Sequence, residues 1–226
     1  MVYMTKILTK ICRKAIGGTM RGIILEGQSY AGKSSTLRAL KRQHVQAERG
    51  EQSIVVLTEN YSQICNMIGG ELVFLEREEH LRLLQERVEM LEQLNAWTNK
   101  LGSDGYEQRG VFFVLERFHL NHRVFWSKDD LRFLAGLEQR LLQLGAKCAL
   151  LSISPAKASQ RIRERNSAKW ARWSPAERAD KCRRLMQEQQ MYREQVQLTC
   201  IPTVEVNTDG QDWDLYAAQI LNFLAS

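Results

Sequence analysis

The segment Gly27-Gln28-Ser29-Tyr30-Ala31-Gly32-Lys33-Ser34 constrains this chain more than any other stretch. It satisfies G-x-x-x-x-G-K-[ST] at every fixed position, and its surroundings give the match its force. A short apolar run over 22–26 precedes it and reads as a buried strand, while 33–46 reads as the helix that follows. Glycines in such a turn let successive backbone N–H groups point inward without a Cβ clash. The helix N-terminus adds the positive end of its dipole. Together these make a cradle for phosphate. Lys33 is placed to neutralise charge between the β- and γ-phosphates, and the Ser34 hydroxyl to ligate Mg²⁺. The expected contact set for a nucleoside triphosphate is Gly27, Gln28, Ser29, Tyr30, Ala31, Gly32, Lys33, Ser34 and Ser35.

The rest of the chain alternates strands and helices. Strands are expected over 53–58 (SIVVLT), 111–115 (VFFVL), 147–152 (KCALLS) and 202–206. Helices are expected over 71–97, 129–144, 156–166, 175–198 and 213–224. Ser174 as N-cap and Pro175 at the first helical position open the 175–198 helix. This order predicts an α/β fold: a mostly parallel sheet with helices on both faces and ligands beyond the carboxyl ends of the strands. In the 71–97 helix, Leu81, Leu84, Val88, Leu91 and Leu94 recur every three or four residues. That stripe covers a sheet face or forms a homodimer contact.

Two acids follow strands on the rim expected to bear the cradle. Glu116 ends the third strand in VLERF and is expected to support Mg²⁺, with Arg117 reaching the transferred phosphoryl group or the acceptor. Glu59, in LTEN, is expected to accept a proton from an attacking hydroxyl or to hydrogen-bond the acceptor. After the fourth strand, Arg161 and Arg165 share one face of a proline-led helix. Their planar forks suit phosphoryl oxygens, and a mobile helix closing them over the γ-phosphate would exclude water.

Three blocks, ILEGQSYAGKSSTLRAL (23–40), VLERFHLNH (114–122) and SPAKASQRIRER (154–165), give the chain its resemblance to the thymidylate-kinase and deoxynucleoside-kinase branch of the P-loop kinases. The resemblance runs over about 21–224. It implies a P-loop NTPase fold with a five-stranded parallel sheet, the P-loop strand central, and a small arginine-bearing lid at about 155–175. It also implies an ATP donor and a nucleoside or nucleoside monophosphate acceptor. Arg117 would contact phosphate, Arg161 and Arg165 would serve the lid, and Glu59 falls where deoxynucleoside kinases carry the acid that activates a hydroxyl. Glu116 stands where thymidylate kinases usually carry Asp, and their Arg-Glu-Pro block is replaced by Thr58-Glu59-Asn60. The acceptor therefore stays open, a non-nucleotide hydroxyl compound such as an antibiotic or metabolite being the alternative. A nucleotide switch or sensor is a third reading; no Asn-Lys-x-Asp guanine motif occurs, and only Asn207-Thr208-Asp209-Gly210 stands near its place.

Composition narrows the class. The chain has 226 residues, 44% hydrophobic and 26% charged, which suits one α/β domain over 20–226. No apolar run approaches the ~18–20 residues of a membrane helix, so no membrane association is expected. The net charge of +6 is concentrated in two clusters, 1–25 and 161–172, which argues for anion sites or a basic tail over a nucleic-acid groove. Residues 1–19 read as a basic extension that loosely resembles an organellar transit peptide. Five widely spaced cysteines read as free thiols in a reducing cytoplasm.

Overall fold

A computed structural model describes residues 20–46, 53–61, 64–101, 110–126 and 131–226. The basic segment 1–19 lies outside them. The strands of the main sheet are β1 (Met20–Glu26), β2 (Ser53–Leu57), β5 (Val111–Glu116), β6 (Ala146–Ser152) and β7 (Thr203–Asn207). Their spatial order is β2-β5-β1-β6-β7, every pair parallel. This is the five-stranded parallel sheet, with the strand before the glycine turn at its centre, that the resemblance implies.

Successive residues of β1 face opposite sides of the sheet, as strand geometry requires. Ile23 and Leu25 join Phe112 and Val114 on one face, beneath Leu37 and Leu40 of α1 (Lys33–Gln46) and Tyr216 and Ile220 of α8 (Trp213–Ala225). Ile24 joins Phe113 and Leu115 on the other. There α2 (Arg77–Leu101) and α4 (Leu131–Gln143) cover the sheet with Leu84, Val88, Leu91, Leu137 and Leu141. Of the five stripe residues, Leu84, Val88 and Leu91 are completely buried within this single chain, and Leu81 and Leu94 are partly buried against the same core. Covering the sheet is thus what the stripe does, and the three buried side chains are not open to a second subunit.

The expected helix over 71–97 begins later than its pattern suggested. Glu71–Phe74 is a strand, β4, paired antiparallel with β3 (Cys65–Ile68), and the helix starts at Arg77. Gly69 and Gly70 join the two strands, both at positive φ (60° and 88°). A two-residue hairpin turn with positive φ at both positions is the geometry that a Gly-Gly pair favours, and it overrides helical periodicity downstream. Two short helices were also not expected, α3 (His119–Phe125) and α6 (Ser167–Arg172). α5 (Pro155–Arg165) and α7 (Pro175–Val196) fall close to their predicted spans. Ser174 caps α7 as predicted: its hydroxyl accepts from the Glu177 N–H while the Glu177 carboxylate accepts from the Ser174 N–H. Among the described residues no helix is long and apolar enough to cross a membrane, and no group of three potential metal ligands gathers.

Candidate functional site

The sheet register assembles the site. β1 pairs Leu25 with Glu116 and Glu26 with Leu150, so the glycine turn, Glu26 and Glu116 all emerge at the carboxyl rim. The turn itself tolerates no side chain at its ends. Gly27 has φ 129°, and a Cβ there would stand 2.3 Å from the Leu151 carbonyl oxygen. At Gly32 (φ 88°) a Cβ would meet the Trp213 ring at 2.4 Å. Between them Tyr30 sits at φ 69°, a left-handed conformation uncommon for a residue with a side chain. This backbone path fits a phosphate-holding loop, because the same glycines leave its N–H groups unobstructed.

Lys33, the first residue of α1, is buried and folds back on the loop, donating from Nζ to the carbonyls of Gly27 (2.9 Å) and Gln28 (3.0 Å). Burial, with some help from Arg117, pulls its ammonium down from an ordinary 10.5 to about 7. A buried cation that is costly to keep charged is a strong attractor for an anion. Ser34 donates from Oγ to Glu116 Oε1 at 3.1 Å. A hydroxyl and a carboxylate side by side at the mouth of a phosphate loop are the hard oxygen donors that Mg²⁺ prefers, so the residues present fit both a triphosphate and its metal.

Arg117 follows immediately, in the left-handed region at φ 57°. That turn aims its guanidinium back across the rim. Nε donates to Glu59 Oε2 at 2.8 Å, Nη2 to Ser29 Oγ at 3.3 Å and Nη1 to Asn121 Oδ1 at 3.5 Å. Partial burial raises the Glu59 carboxyl, but the charge and hydrogen bond of Arg117 outweigh it, and the group lies below the usual carboxylate range. Glu59 is therefore held ionised and oriented, able to receive a proton.

Two cavities open on this constellation. The first, about 440 Å³, is lined by the Gly32–Ser35 turn, Arg38, Glu116, Arg161, Glu164, Gln211 and Trp213. The second, about 430 Å³, is lined by Ser29, Ile64, Cys65, Phe74, Arg117, Asn121, Phe125, Asn166 and Glu188. Tyr30, Glu59 and Arg165 belong to both walls. All six of the predicted charged site residues thus line one cavity or the other.

The two arginines expected in a lid differ. Arg165 is exposed, its guanidinium 5.7 Å from the Tyr30 ring centroid. Arg161 is buried, donates from Nη2 to the Thr208 carbonyl and lies over the Trp213 ring. It is already tied into the body of the molecule, because the α5 face that carries it packs toward the β7–α8 connection. Trp170 and Trp173 pack with Ile153, Ala158, Ile162 and Leu185, an anchoring role. Of the aromatic residues expected near an acceptor, Phe74 and Phe125 line the second cavity, with centroids 6.5 Å apart. Phe118 is wholly buried in the core, and Trp126 lies against His80 and His122. The Tyr61 side chain lies outside the described residues. Cys65, Cys148, Cys182 and Cys200 carry free thiols; Cys12 also falls outside.

Sequence reasoning missed three groups. Glu26 is completely buried, and its Oε1 accepts the backbone N–H groups of Phe118 (2.8 Å), Leu120 (2.9 Å) and Asn121 (3.4 Å). It thereby fixes the chain just after Arg117. Its signal was an acid closing an apolar strand directly before the glycine turn. Gln189 and Glu188 sit mid-way along α7, and nothing in a run of glutamines and glutamates distinguishes them. Gln189 brackets Ile153, accepting from its N–H (2.8 Å) and donating to its carbonyl (3.0 Å), and it accepts a hydrogen bond from Gln28 of the loop.

A solved structure extends the comparison. The YorR protein of Bacillus subtilis, crystallised in complex with phosphorylated GDP, superposes with a TM-score of 0.53 over 90% of this chain and 95% of that one, at 18% identity. This chain shares that α/β fold, a five-stranded parallel sheet with helices on both faces. A Chloroflexus aurantiacus protein whose kinase assignment is itself a proposal aligns over 92% of this chain and 97% of its own, at 17% identity and a TM-score of 0.43. No protein-family model matches the chain, and no curated protein sequence matches it.

Proposed function

We propose that this P-loop kinase-like chain is an ATP- and Mg²⁺-dependent phosphotransferase, moving the γ-phosphoryl group to a nucleoside or nucleoside monophosphate. The observation that carries the reading is the shared wall. Two cavities of similar size, about 440 and 430 Å³, meet at Glu59, Tyr30 and Arg165, one lined by the glycine turn and the other by Phe74 and Phe125. Donor and acceptor in those cavities would face each other across the Glu59–Arg117 pair. ATP supplies the transferable phosphoryl group and Mg²⁺ screens its charge. The chain's own groups do the rest. Lys33 and the loop N–H groups hold the phosphates, and Ser34 with Glu116 would hold the metal. Glu59 takes the proton of an attacking hydroxyl as the new O–P bond forms and the bond from the γ-phosphorus to the bridging oxygen breaks, ADP leaving. Arg117 orients Glu59 and faces the transferred group, while Arg165, with Arg161 behind it, adds positive charge over the same point. That the Bacillus subtilis protein of this fold was captured with phosphorylated GDP supports placing a nucleotide here.

The test is ADP release from ATP·Mg²⁺ by purified protein, against nucleosides, their monophosphates and non-nucleotide alcohols. Acceptor-dependent turnover on a nucleoside or monophosphate is expected, and Lys33→Ala should abolish it while leaving the circular dichroism spectrum unchanged. Turnover undiminished in that variant would sink the mechanism. Turnover on alcohols alone would move the acceptor outside the nucleotides.

A further inference from the structure

One charged group in the second cavity has no part in the chemistry above. Glu188 stands mid-way along α7 and lines that cavity. Among the described residues it makes no hydrogen bond and no ion pair. Its neighbours on the helix are engaged: Gln189 with Ile153, and Tyr192, which donates to Asn121 Oδ1 at 2.9 Å. Burial raises the Glu188 carboxyl above its ordinary range, against the pull of Arg117 and Lys33. A half-buried carboxylate without a hydrogen-bond partner carries part of a desolvation cost that a donor would remove.

The charges around it point the same way. Two carboxylates, Glu59 and Glu188, and two guanidiniums, Arg117 and Arg165, line the cavity. Arg117 is committed to Glu59 at 2.8 Å. What remains is one free carboxylate against one exposed guanidinium. A phosphate monoester brings nearly two negative charges near neutral pH. The cations whose charge reaches Glu188 are Arg117, already paired with Glu59, and Lys33, which lines the first cavity, so among the described residues of this cavity Arg165 is the uncommitted guanidinium left to offset such an acceptor. An acceptor whose only reactive group is a hydroxyl meets no such repulsion, and its remaining donors have an oxygen to meet.

We infer that the second cavity takes an uncharged hydroxyl compound of the nucleoside class, and that Glu188 accepts a hydrogen bond from one of its N–H or O–H groups while repelling the phosphorylated form. The inference rests on reading this cavity as the acceptor site. It narrows the substrate class to the unphosphorylated nucleoside and makes Glu188 a specificity-determining residue. Sites built to pair a substrate donor discriminate strongly, because the wrong ligand leaves the site's own polar group buried and unpaired.

Isothermal titration calorimetry on the full chain with ADP·Mg²⁺ present tests this. The probes are adenosine, guanosine, cytidine and thymidine, each beside its 5′-monophosphate. At least one nucleoside should bind, with its monophosphate weaker by about tenfold or more. Glu188→Ala should weaken the nucleoside by roughly tenfold or more. Glu188→Gln, which keeps an acceptor oxygen and removes the charge, should narrow the gap between nucleoside and monophosphate. ADP affinity should be unchanged in both variants, since Glu188 does not line the first cavity. A monophosphate binding as tightly as its nucleoside, a nucleoside indifferent to Glu188→Ala, or no nucleoside binding at all would each overturn the inference. The two readings fail separately. The expected binding pattern without acceptor-dependent ADP release would sink phosphoryl transfer and leave the role of Glu188 standing. Turnover of a nucleoside with unaltered binding in Glu188→Ala would do the reverse.

Discussion

Glu26 and Lys33 stand at opposite ends of the glycine turn, and burial drives both toward pH 7 from opposite sides. Burial outweighs three backbone N–H donors and lifts the Glu26 carboxyl from an ordinary 4.5 to about 7. Between those values the folded chain holds a proton that the unfolded chain releases, so this group's contribution to stability falls as pH rises from 4.5 to 7. Lys33 runs the other way: from about 7 to 10.5 the unfolded chain keeps the proton that the folded one gives up, and stability rises with pH. The joint contribution of the pair is therefore lowest near pH 7. Urea unfolding of wild type and Glu26→Gln across pH 4.5–7 should show the difference between them shifting against the wild type as pH rises; a constant difference would remove Glu26 from the account. For Lys33 the consequence is proton uptake. A bound phosphate favours the ammonium, so ADP binding should take up a proton above pH 7 and weaken by up to about tenfold per pH unit. Calorimetry in buffers of different ionisation enthalpy reads that proton directly, and Lys33→Ala should show none. The glycine motif makes Lys33 legible in the sequence. Its depressed ammonium is not, because it depends on how much protein closes around the side chain.

Elements meet at this site through backbone groups as much as through side chains. Gln189 of α7 bonds both polar atoms of Ile153, just beyond the end of β6, and the same side chain meets Gln28 in the loop. One glutamine therefore docks a long helix against the rim and steadies the glycine loop. Gln189→Ala leaves a buried N–H and carbonyl unpaired, each costing ~1–3 kcal/mol. A stability loss of about 2 kcal/mol or more is expected in urea, with weaker ADP binding. Full ADP affinity in a destabilised variant would confine Gln189 to docking. The strands and long helices of the sheet were legible because each carries its own period and punctuation: apolar runs, an N-cap at Ser174, a proline at Pro175. The β3–β4 hairpin was not, since ELVF continues the helical stripe and only Gly69-Gly70 breaks it. The short helices were missed for a different reason. α3 starts where Glu26, some ninety positions earlier in the chain, accepts the N–H groups of its first residues, and no local pattern encodes that.

For the molecule as a whole, the stripe on α2 decides how it should respond to damage. Leu84, Val88 and Leu91 are fully buried against β1, β5 and α4 within one chain. Leu91→Ala should lower unfolding free energy by about 2–5 kcal/mol, the range for a leucine cavity. A stripe that joined two subunits would instead give an intact fold whose sedimentation changes on dilution. Equilibrium unfolding beside sedimentation velocity separates the two outcomes. The sequence by itself determined the chemistry-bearing turn, the parallel α/β sheet and the carboxylates at its rim. Each of these follows from local rules: a fixed spacing of Gly, Lys and Ser, an apolar run, an acid at a strand's end. Only the tertiary structure decided which charges remain free. It paired Arg117 with Glu59, tied Arg161 to Thr208, buried Glu26 under three amides, and left Glu188 facing a cavity with no hydrogen-bond partner among the described residues. Those outcomes depend on residues 47 to 95 positions apart coming within hydrogen-bond reach, and a linear pattern holds no record of such distances.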